Sequence, residues 1–424
     1  MTQENLNTQN TTVAVIGYGT AGVNAVIGLR NAGYEGRILV FSNTEILPYS
    51  PILTSYYAGG MKTYEECFPW SAEELDSLNA EVLSGCPVTN LDVDAHVIST
   101  AQGDYTYDKC VIATGSTPVP VGFPKADGFE PIGLRTMDDA QRLKDTLAHP
   151  DCNRVLMSGA SMVALKTMEA VLEQGKHATL VGMNPHVLDF NALPEAAMRF
   201  ERGLLSYGAE LRLGMTAKEL EVIDGPGIDG KQYKVTFSNG DTDVFDAITV
   251  AHGMRSNLEF LPQGALEMGR AILVDEFMRT SNPDVYAAGD VVQALELISG
   301  EKRIVGIWKN AAVQGNVAGT TIAAELAGRT PDSNDAYKGS IPGNTICVRD
   351  TLFISAGTME ITDNRYVETR EDDDMIVMYI FQREEDGSRR LVGFNLTCDN
   401  DEAGGKAYDT GAMLTLQIEK GCKK

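Results

Sequence analysis

The sequence lacks the paired cysteines on which thiol redox chemistry and zinc sites usually depend. Seven cysteines are scattered along the chain, and no two of them form a C-x-x-C motif or a pair four residues apart. This spacing suggests no metal site, and an odd number of cysteines in a chain without a signal peptide indicates reduced thiols. The cysteines are Cys67, Cys86, Cys110, Cys152, Cys347, Cys398 and Cys422.

Basic residues and long apolar runs are also scarce. The 35 lysines and arginines are outnumbered by 59 aspartates and glutamates, which gives a formal charge of −24. Nucleic acid is therefore not expected as a partner, because phosphate contacts need basic patches. No apolar run approaches the length of a membrane span, and the polar first ten residues have neither the basic nor the apolar part of a signal peptide. We expect a cytoplasmic protein with no membrane partner.

A nucleotide-binding signature is present at the start of the chain. The apolar run Thr12–Ile16 precedes the sequence Gly-Tyr-Gly-Thr-Ala-Gly, and a helix is predicted after it, over Val23–Asn31. In such a strand–turn–helix unit, Gly17 permits the tight turn, Gly19 lets the backbone approach a pyrophosphate, and Gly22 allows close helix–strand packing. The diphosphate would lie at the N-terminus of the helix.

The next predicted strand, Arg37–Phe41, ends without the carboxylate that usually binds an adenosine ribose. Asn43 and Glu45 follow it. Asn43 can hydrogen-bond a ribose hydroxyl, and Glu45 can replace the missing acid if the loop turns inward. The sequence leaves both alternatives open.

A second unit of the same kind has lost most of its glycines. The predicted strand Arg154–Met157 and the predicted helix Val163–Gln174 flank the sequence Ser-Gly-Ala-Ser-Met-Val-Ala. Only Gly159 is kept, since Ser161 stands at the second glycine position and Ala164, a tolerated packing variant, at the third. Ser161 therefore puts a side chain where backbone should meet a pyrophosphate.

The strand that follows this unit, Ala178–Val181, also ends without the expected chemistry. The sequence Gly182-Met183-Asn184 after it offers neither an acid for an NAD ribose nor clustered arginines for an NADP phosphate. The second unit is thus expected to fold as a dinucleotide-type domain, while its use of a nicotinamide is left open.

Two later segments make the first signature more specific. Tyr107–Ser116 is predicted as a buried strand that runs into a turn of small residues, and Val285–Asp290 ends in Ala-Ala-Gly-Asp. With them the chain, over residues 12–330, resembles the FAD-dependent pyridine nucleotide-disulfide oxidoreductases. The resemblance is greatest to the branches that include rubredoxin and ferredoxin reductases, NADH oxidases and the flavin modules of nitrite reductases.

The resemblance implies an α/β fold with two Rossmann-like dinucleotide-binding domains. It places an FAD-binding domain at residues 1–118 and 248–330, and an NAD(P)-binding-like domain with a degenerate glycine motif at 119–247. Residues 331–424 would form a C-terminal α+β interface domain, which agrees with their alternating apolar pattern. The pattern predicts strands at Thr345–Val348, Leu352–Ser355 and Met375–Ile380 and a helix at Ala407–Gln417.

The resemblance also implies which residues bind FAD. Asp290 would contact the ribityl–phosphate part, Val88 would contact the adenine through its backbone, and a helix beginning at Trp308 would point N–H groups at the flavin pyrimidine. Gly159 is the corresponding candidate in the second unit. The full set predicted to bind FAD is Gly17, Gly19, Gly22, Asn43, Glu45, Val88, Ala113, Thr114, Gly115, Gly289, Asp290, Trp308, Ala312 and Gln314.

Two departures from the family bear on the chemistry. The stretch Leu47–Gly60, where the coenzyme A disulfide and NADH oxidase branches of the family keep a single redox cysteine, contains none. The family's Gly-Leu-Glu, whose glutamate pairs with a base near flavin N5, is replaced by Ala-Leu-Lys ending at Lys166. The resemblance places the replacement of that base near Tyr56. Lys166 and Tyr56 are therefore the candidate catalytic residues. The alternatives are that Lys166 lies on a solvated helix face and that one of Tyr56 and Tyr57 only packs.

These features predict an FAD-dependent oxidoreductase that passes electrons from NAD(P)H through the flavin, without a cysteine relay. The acceptor would be a small molecule, oxygen or a partner redox protein. The alternative is a flavoprotein subunit of a multi-subunit redox enzyme, whose second site receives electrons from a partner or binds a different organic substrate. A third hypothesis is a non-enzymatic flavin-binding assembly subunit. We expect a homodimer or a subunit of a redox complex.

Overall fold

The computed structural model describes residues 10–119, 122–400 and 403–422, and the chain divides into two compact units. Unit 1 takes in the described parts of Met1–Ser50, Phe68–Thr117 and Arg255–Ile341. Unit 2 takes in those of Pro51–Cys67, Pro118–Met254 and Pro342–Lys424. Residues 51–67, which the sequence-based bounds include in the FAD-binding domain, cluster with unit 2.

The described residues form 25 strands and eight α-helices. The strands are β1 (Thr12–Ile16), β2 (Arg37–Phe41), β3 (Glu81–Leu83), β4 (Val88–Asp92), β5 (Val97–Thr100), β6 (Gly103–Thr106), β7 (Lys109–Ile112), β8 (Ser116–Pro118), β9 (Arg154–Ser158), β10 (His177–Gly182), β11 (Glu210–Leu213), β12 (Ala217–Asp224), β13 (Lys231–Phe237), β14 (Thr242–Phe245), β15 (Ala247–Val250), β16 (Met254–Ser256), β17 (Ile272–Leu273), β18 (Val285–Ala287), β19 (Val292–Leu295), β20 (Lys302–Arg303), β21 (Gly343–Val348), β22 (Thr351–Gly357), β23 (Arg365–Glu371), β24 (Met375–Arg383) and β25 (Arg389–Cys398). The helices are α1 (Thr20–Asn31), α2 (Thr54–Ala58), α3 (Ala72–Ser77), α4 (Met137–Ala148), α5 (Met162–Glu173), α6 (Pro194–Ser206), α7 (Trp308–Leu326) and α8 (Gly404–Cys422).

Unit 1 is built on a parallel sheet of five strands in the order β18-β7-β1-β2-β3. Its central strands are continuous apolar runs, as expected when both faces of a parallel sheet are covered. Val13 and Val15 of β1 and Val111 of β7 are fully buried. Two small sheets, β4-β5-β6 and β17-β19-β20, complete the unit.

Helices α1 and α7 of unit 1 pack at backbone contact distance, which glycines make possible. A Cβ atom added at Gly315 would lie 2.1 Å from the carbonyl oxygen of Ala21, and one at Gly319 would lie 2.1 Å from that of Ala25. In the other direction, a Cβ at Gly28 would lie 2.5 Å from the carbonyl oxygen of Asn316. Side chains larger than hydrogen would force the helices apart.

Unit 2 contains a second parallel sheet, in the order β11-β10-β9-β15, and an antiparallel sheet, β12-β13-β14. Residues 225–230 join β12 to β13. The C-terminal residues form an antiparallel sheet in the order β21-β22-β25-β24-β23, with α6 and α8 packed against it. The fold class predicted from the sequence is confirmed.

The structure differs from the sequence-based prediction in where some helices and strands begin and end, and in the number of strands. Helix α1 begins at Thr20, three residues before the predicted start, because Gly19 is its N-cap. Strands β23 and β25 were not predicted. Among the described residues, no helix is both long and apolar enough to cross a membrane.

Candidate functional site

The first glycine turn joins β1 to α1 in unit 1 with very little space. The Gly17 N–H donates to the carbonyl of Phe41 at 2.8 Å, and the residue has φ +107°, a conformation that favours glycine. A Cβ atom at Gly17 would lie 2.3 Å from the carbonyl oxygen of Ala113, and one at Gly22 would lie 2.0 Å from that of Gly17. These two glycines are therefore required by the fold of the turn itself.

Gly19 has a different reason to be glycine. Its backbone is extended, with φ −84° and ψ −169°, a conformation open to any residue. A Cβ atom there would meet nothing within 4 Å. Because neither conformation nor packing in the described chain requires a glycine, the free space beside its backbone is what a closely approaching ligand would need.

Two helices of unit 1 begin without a side-chain cap. The N-termini of α1 and α7 have no capping hydrogen bond, whereas α3 begins with a capping box formed by Ser71 and Glu74. Their first N–H groups are therefore available to an anionic or carbonyl ligand. Two buried polar atoms lie at the same helix starts with no hydrogen-bond partner among the described residues, namely Oγ1 of Thr20 and Nε1 of Trp308.

These features fit FAD, the cofactor that the resemblance implies. A dinucleotide with a diphosphate and a polar ring system would supply partners for the two helix starts and for the two orphaned atoms. Four buried alanines from the surrounding segments also pack together, so the side chains in this region are small. They are Ala21, Ala113, Ala288 and Ala311.

The predicted Ala-Gly-Asp segment is held in place by other predicted residues. Asp290 accepts a hydrogen bond from the hydroxyl of Ser116 at 2.7 Å, and the Gly289 N–H donates to the side-chain carbonyl of Gln314 at 2.8 Å. Gln314 is only 2% exposed. Its side-chain carbonyl therefore holds the backbone of Gly289 in place.

Asn257 is a site residue that sequence reasoning missed. Its side-chain amide donates to the carbonyl of Thr114 at 2.9 Å and accepts from the hydroxyl of Thr117 at 2.7 Å. The hydroxyl of Thr114 donates to the Asn257 carbonyl at 2.6 Å. These bonds fix the turn of small residues around Gly115. An asparagine 140 positions away carried no sequence signal for this contact.

The remaining predicted FAD residues lie in the loop after β2, at the start of β4 and in α7. Asn43 and Glu45 are both exposed just after β2, and Glu45 lies beside the turn at Gly85, where a Cβ atom would be 3.4 Å from its carboxylate. Val88 begins β4, and Ala312 lies half-buried in the first turns of α7. Both Asn43 and Glu45 are therefore accessible to a ribose after β2.

The second glycine turn, in unit 2, has the same backbone geometry as the first despite its lost glycines. The Gly159 N–H donates to the carbonyl of Val181 at 2.8 Å, with φ +120°, and a Cβ atom there would lie 2.5 Å from the Ala251 carbonyl oxygen. Ser161 has φ −80° and ψ 169°, nearly the values of Gly19. It is exposed and forms no side-chain cap on α5. The serine therefore leaves the turn and the helix N-terminus intact.

Lys166 and Tyr56, the candidate catalytic residues, lie together in unit 2. The Lys166 ammonium lies 4.0 Å from the centre of the Tyr56 ring, donates to the Cys347 carbonyl at 3.0 Å and forms an ion pair with Glu169. Lys166 is 14% exposed and Glu169 is 7% exposed. The predicted alternative of a solvated lysine is therefore wrong.

Tyr57 has a structural environment of its own. It is 6% exposed, bonds through its hydroxyl to Gln141 and packs its ring under the ammonium of Lys144 at 3.9 Å. It is thus the packing member of the adjacent tyrosine pair.

None of the seven cysteines forms a disulfide bond in the described structure. Burial raises the pKa of the Cys110, Cys67 and Cys398 thiols, and it raises the pKa of Cys152 and of Cys347 to about 11. Such thiols are protonated at neutral pH and are weak nucleophiles.

Comparison with known proteins places this geometry in context. A family model described as pyridine nucleotide-disulphide oxidoreductase matches residues 11–315. The epsilon subunit of an NADH-dependent phenylglyoxylate dehydrogenase from Aromatoleum evansii is 28% identical over 366 residues, which are 86% of this chain and 83% of that protein. A rubredoxin-NAD(+) reductase from Ectopseudomonas oleovorans is 29% identical over 289 residues, 66% of this chain and 72% of that protein.

A similar fold is found in a water-forming NADH oxidase from Lactobacillus brevis, solved with NADH bound. The TM-score is 0.83 at 20% identity, and the alignment covers 96% of this chain and 91% of the oxidase.

Proposed function

The chain belongs to the pyridine nucleotide-disulphide oxidoreductase family of FAD-dependent enzymes, and from this premise we propose that it passes electrons from NADH through FAD, without a cysteine relay. The acceptor would be a small molecule, oxygen or a partner redox protein. We propose unit 1 as the FAD-binding part and the parallel sheet of unit 2, with Gly159, as the part that binds the nicotinamide dinucleotide.

The observation that carries this proposal is the preserved second turn. The bonds and dihedral angles of Gly159 and Ser161 repeat those of Gly17 and Gly19, so the sequence changes have not removed the strand–turn–helix geometry. The N-terminus of α5 has no side-chain cap and is free to face a diphosphate. Relatives named as NADH-dependent enzymes support the same substrate.

When bound, FAD would supply the hydride-transfer and electron-transfer chemistry. The chain supplies binding and charge. The N–H groups of α1 would hold the diphosphate, and those of α7 would stabilise negative charge at the pyrimidine edge. The Thr20 hydroxyl and the Trp308 indole N–H, which lack a partner among the described residues, would hydrogen-bond to the cofactor. Asp290 would hold the ribityl–phosphate part.

Lys166 is proposed to stabilise charge during electron transfer, with Tyr56 holding its ammonium. A Lys166→Met variant should keep its FAD and be reduced by NADH about tenfold more slowly. This is less than the ~100-fold typical of a catalytic electrostatic group, because Glu169 already offsets part of the lysine charge. Stopped-flow absorbance of the flavin gives the rate.

The matched control for this variant is Lys144→Met, which removes a similar lysine–tyrosine contact at Tyr57. Its reduction rate should equal that of the wild type. Adding Glu169→Gln to Lys166→Met removes the carboxylate charge that Lys166 balances, and so separates a loss of stability from a loss of rate. Equal reduction rates in the Lys166 variant and the control would show that Lys166 has no role in the reduction of the flavin.

A reductive titration tests the proposed function as a whole. Without a redox-active disulfide, one equivalent of NADH should reduce the FAD completely under anaerobic conditions, because a hydride carries both electrons that the flavin accepts. Alkylating the accessible thiols beforehand should leave this end point and the rate unchanged. An end point that needs a second equivalent, or a rate abolished by alkylation, would contradict transfer without cysteine.

A second candidate function is favoured by one relative. The phenylglyoxylate dehydrogenase protein is named as a subunit, and it matches 86% of this chain. We therefore keep the alternative that the chain is the flavoprotein subunit of a redox complex, with electrons exchanged through another subunit. A homodimer is the other proposed assembly. Size-exclusion chromatography with light scattering on the FAD-loaded chain distinguishes a dimer from a subunit that remains a monomer without its complex.

A further inference from the structure

The loop after β10 in unit 2 supplies a carboxylate that the end of that strand lacks. Strand β10 ends at Gly182, and neither Met183 nor Asn184 carries a charge. Asp189 comes five residues after Asn184, and the two side chains are hydrogen-bonded, with the amide of Asn184 donating to the carboxylate. An acid is therefore present beside the carboxyl end of β10, where an open α/β sheet binds its ligand.

The loop is fixed in this position by its own packing. Leu188 has φ +58°, an unfavourable conformation for a bulky residue, and its N–H donates to the carbonyl of Ala160 in the second glycine turn at 2.9 Å. Val187 and Leu188 are 0% and 1% exposed, and the Val187 N–H donates to Glu201 at 2.9 Å. The loop is thus attached to the glycine turn, while Asp189 itself is exposed.

The basic side chains Arg212 of β11 and His186 of the loop each already have an acidic partner. Arg212 of β11, opposite Val181 of β10, forms ion pairs with Glu210 at 2.7 Å and with Asp243 at 2.5 Å. His186 lies 3.2 Å from Glu201. Among the described residues of this loop and strand pair, the charge left exposed beside Asn184 is therefore negative.

We propose that Asp189, held by Asn184, binds the adenosine ribose of NADH and discriminates against NADPH. This inference rests on the proposed function, since it assigns the ribose position of the same dinucleotide site. A carboxylate accepts hydrogen bonds from a ribose diol, whereas the 2′-phosphate of NADPH would bring a second negative group against it. The acid comes from the loop instead of the strand end.

The test measures binding without redox chemistry. Isothermal titration calorimetry on the FAD-loaded protein would compare ADP-ribose with 2′-phospho-ADP-ribose. The wild type should bind ADP-ribose at least about tenfold more tightly, which corresponds to about 1.4 kcal/mol. Asp189→Asn should reduce this preference, and Asp189→Arg should reverse it in favour of the 2′-phosphate.

The matched control is Asp241→Arg. Asp241 accepts a hydrogen bond from Asn239 at 2.7 Å in the β13–β14 hairpin, so the variant makes the same change of charge in a similar Asn–Asp pair elsewhere in unit 2. It should keep the wild-type preference. Equal affinity of the wild type for both ligands, or an unchanged preference in Asp189→Arg, overturns the inference alone. Binding of neither ligand overturns the inference and the proposed nicotinamide site together.

Discussion

A Gly19→Val variant is expected to fold and to lose its FAD. The extended backbone of Gly19 accepts a valine, and a Cβ atom there meets nothing within 4 Å, so the apoprotein has no reason to unfold. The valine would fill the space through which the backbone approaches a diphosphate. We expect the valine to cost two charge-assisted hydrogen bonds from backbone N–H groups of the turn to the diphosphate, each worth roughly 1.5–3 kcal/mol. Their loss should weaken FAD binding by at least about 100-fold.

FAD content of the purified variant, read from absorbance near ~450 nm, is the primary measurement. Tryptophan fluorescence gives a second, because both tryptophans of the chain, Trp70 and Trp308, are stacked 6.0 Å apart in unit 1. Adding FAD to the apoprotein should change the fluorescence of the wild type and not that of the variant. Circular dichroism should show that the Gly19→Val variant and the wild type have the same content of secondary structure. A Gly19→Val protein that retains a full complement of FAD would disprove the assigned role of this turn.

A Gly319→Val variant is expected to lose stability rather than a ligand contact. Its Cβ atom would lie 2.1 Å from the Ala25 carbonyl oxygen and 2.8 Å from the Leu29 nitrogen, and backbone atoms cannot move aside as a flexible side chain would. We expect destabilisation of unit 1 by about 3 kcal/mol, the upper part of the usual range for overpacking. The urea midpoint of the tryptophan fluorescence transition reports this unit alone.

Gly405→Val is the matched control for the helix contact. Gly405 also lies in a helix, α8, but a Cβ atom there meets nothing within 4 Å. This variant should leave the fluorescence midpoint of unit 1 unchanged, because it is in unit 2. If Gly319→Val unfolds at the same urea concentration as the control, the close α1–α7 packing is not a source of stability.

The parts of the fold that could be predicted are those with strong local patterns. Strands β1 and β2 begin and end at the predicted residues, because each is a short β-branched or apolar run that stops at a turn. Strands β23 and β25 escaped prediction for physical reasons. The first alternates charged residues on an exposed edge, and the second is interrupted by Gly393 and Asn395, which weaken the strand pattern.

The candidate site was predictable only where residues are close in sequence. The glycine turns are local, so Gly17 and Gly159 could be placed from their spacing. The bonds of Asn257 to Thr114 and Thr117 join residues far apart in the chain. Asp189, which pairs with Asn184, directly follows Leu188, whose positive φ sequence does not favour. Long-range contacts and unfavourable backbone conformations are set by the tertiary structure.

The measurement that tests the account most directly is anaerobic stopped-flow absorbance of the FAD-loaded protein mixed separately with NADH and NADPH. The account predicts rapid loss of the flavin band near ~450 nm with NADH, and a slower loss with NADPH at the same concentration. Absence of any loss with either nucleotide would contradict the central claim. It would mean that a nicotinamide bound at the second turn does not reduce the flavin, and that another subunit or substrate supplies the electrons.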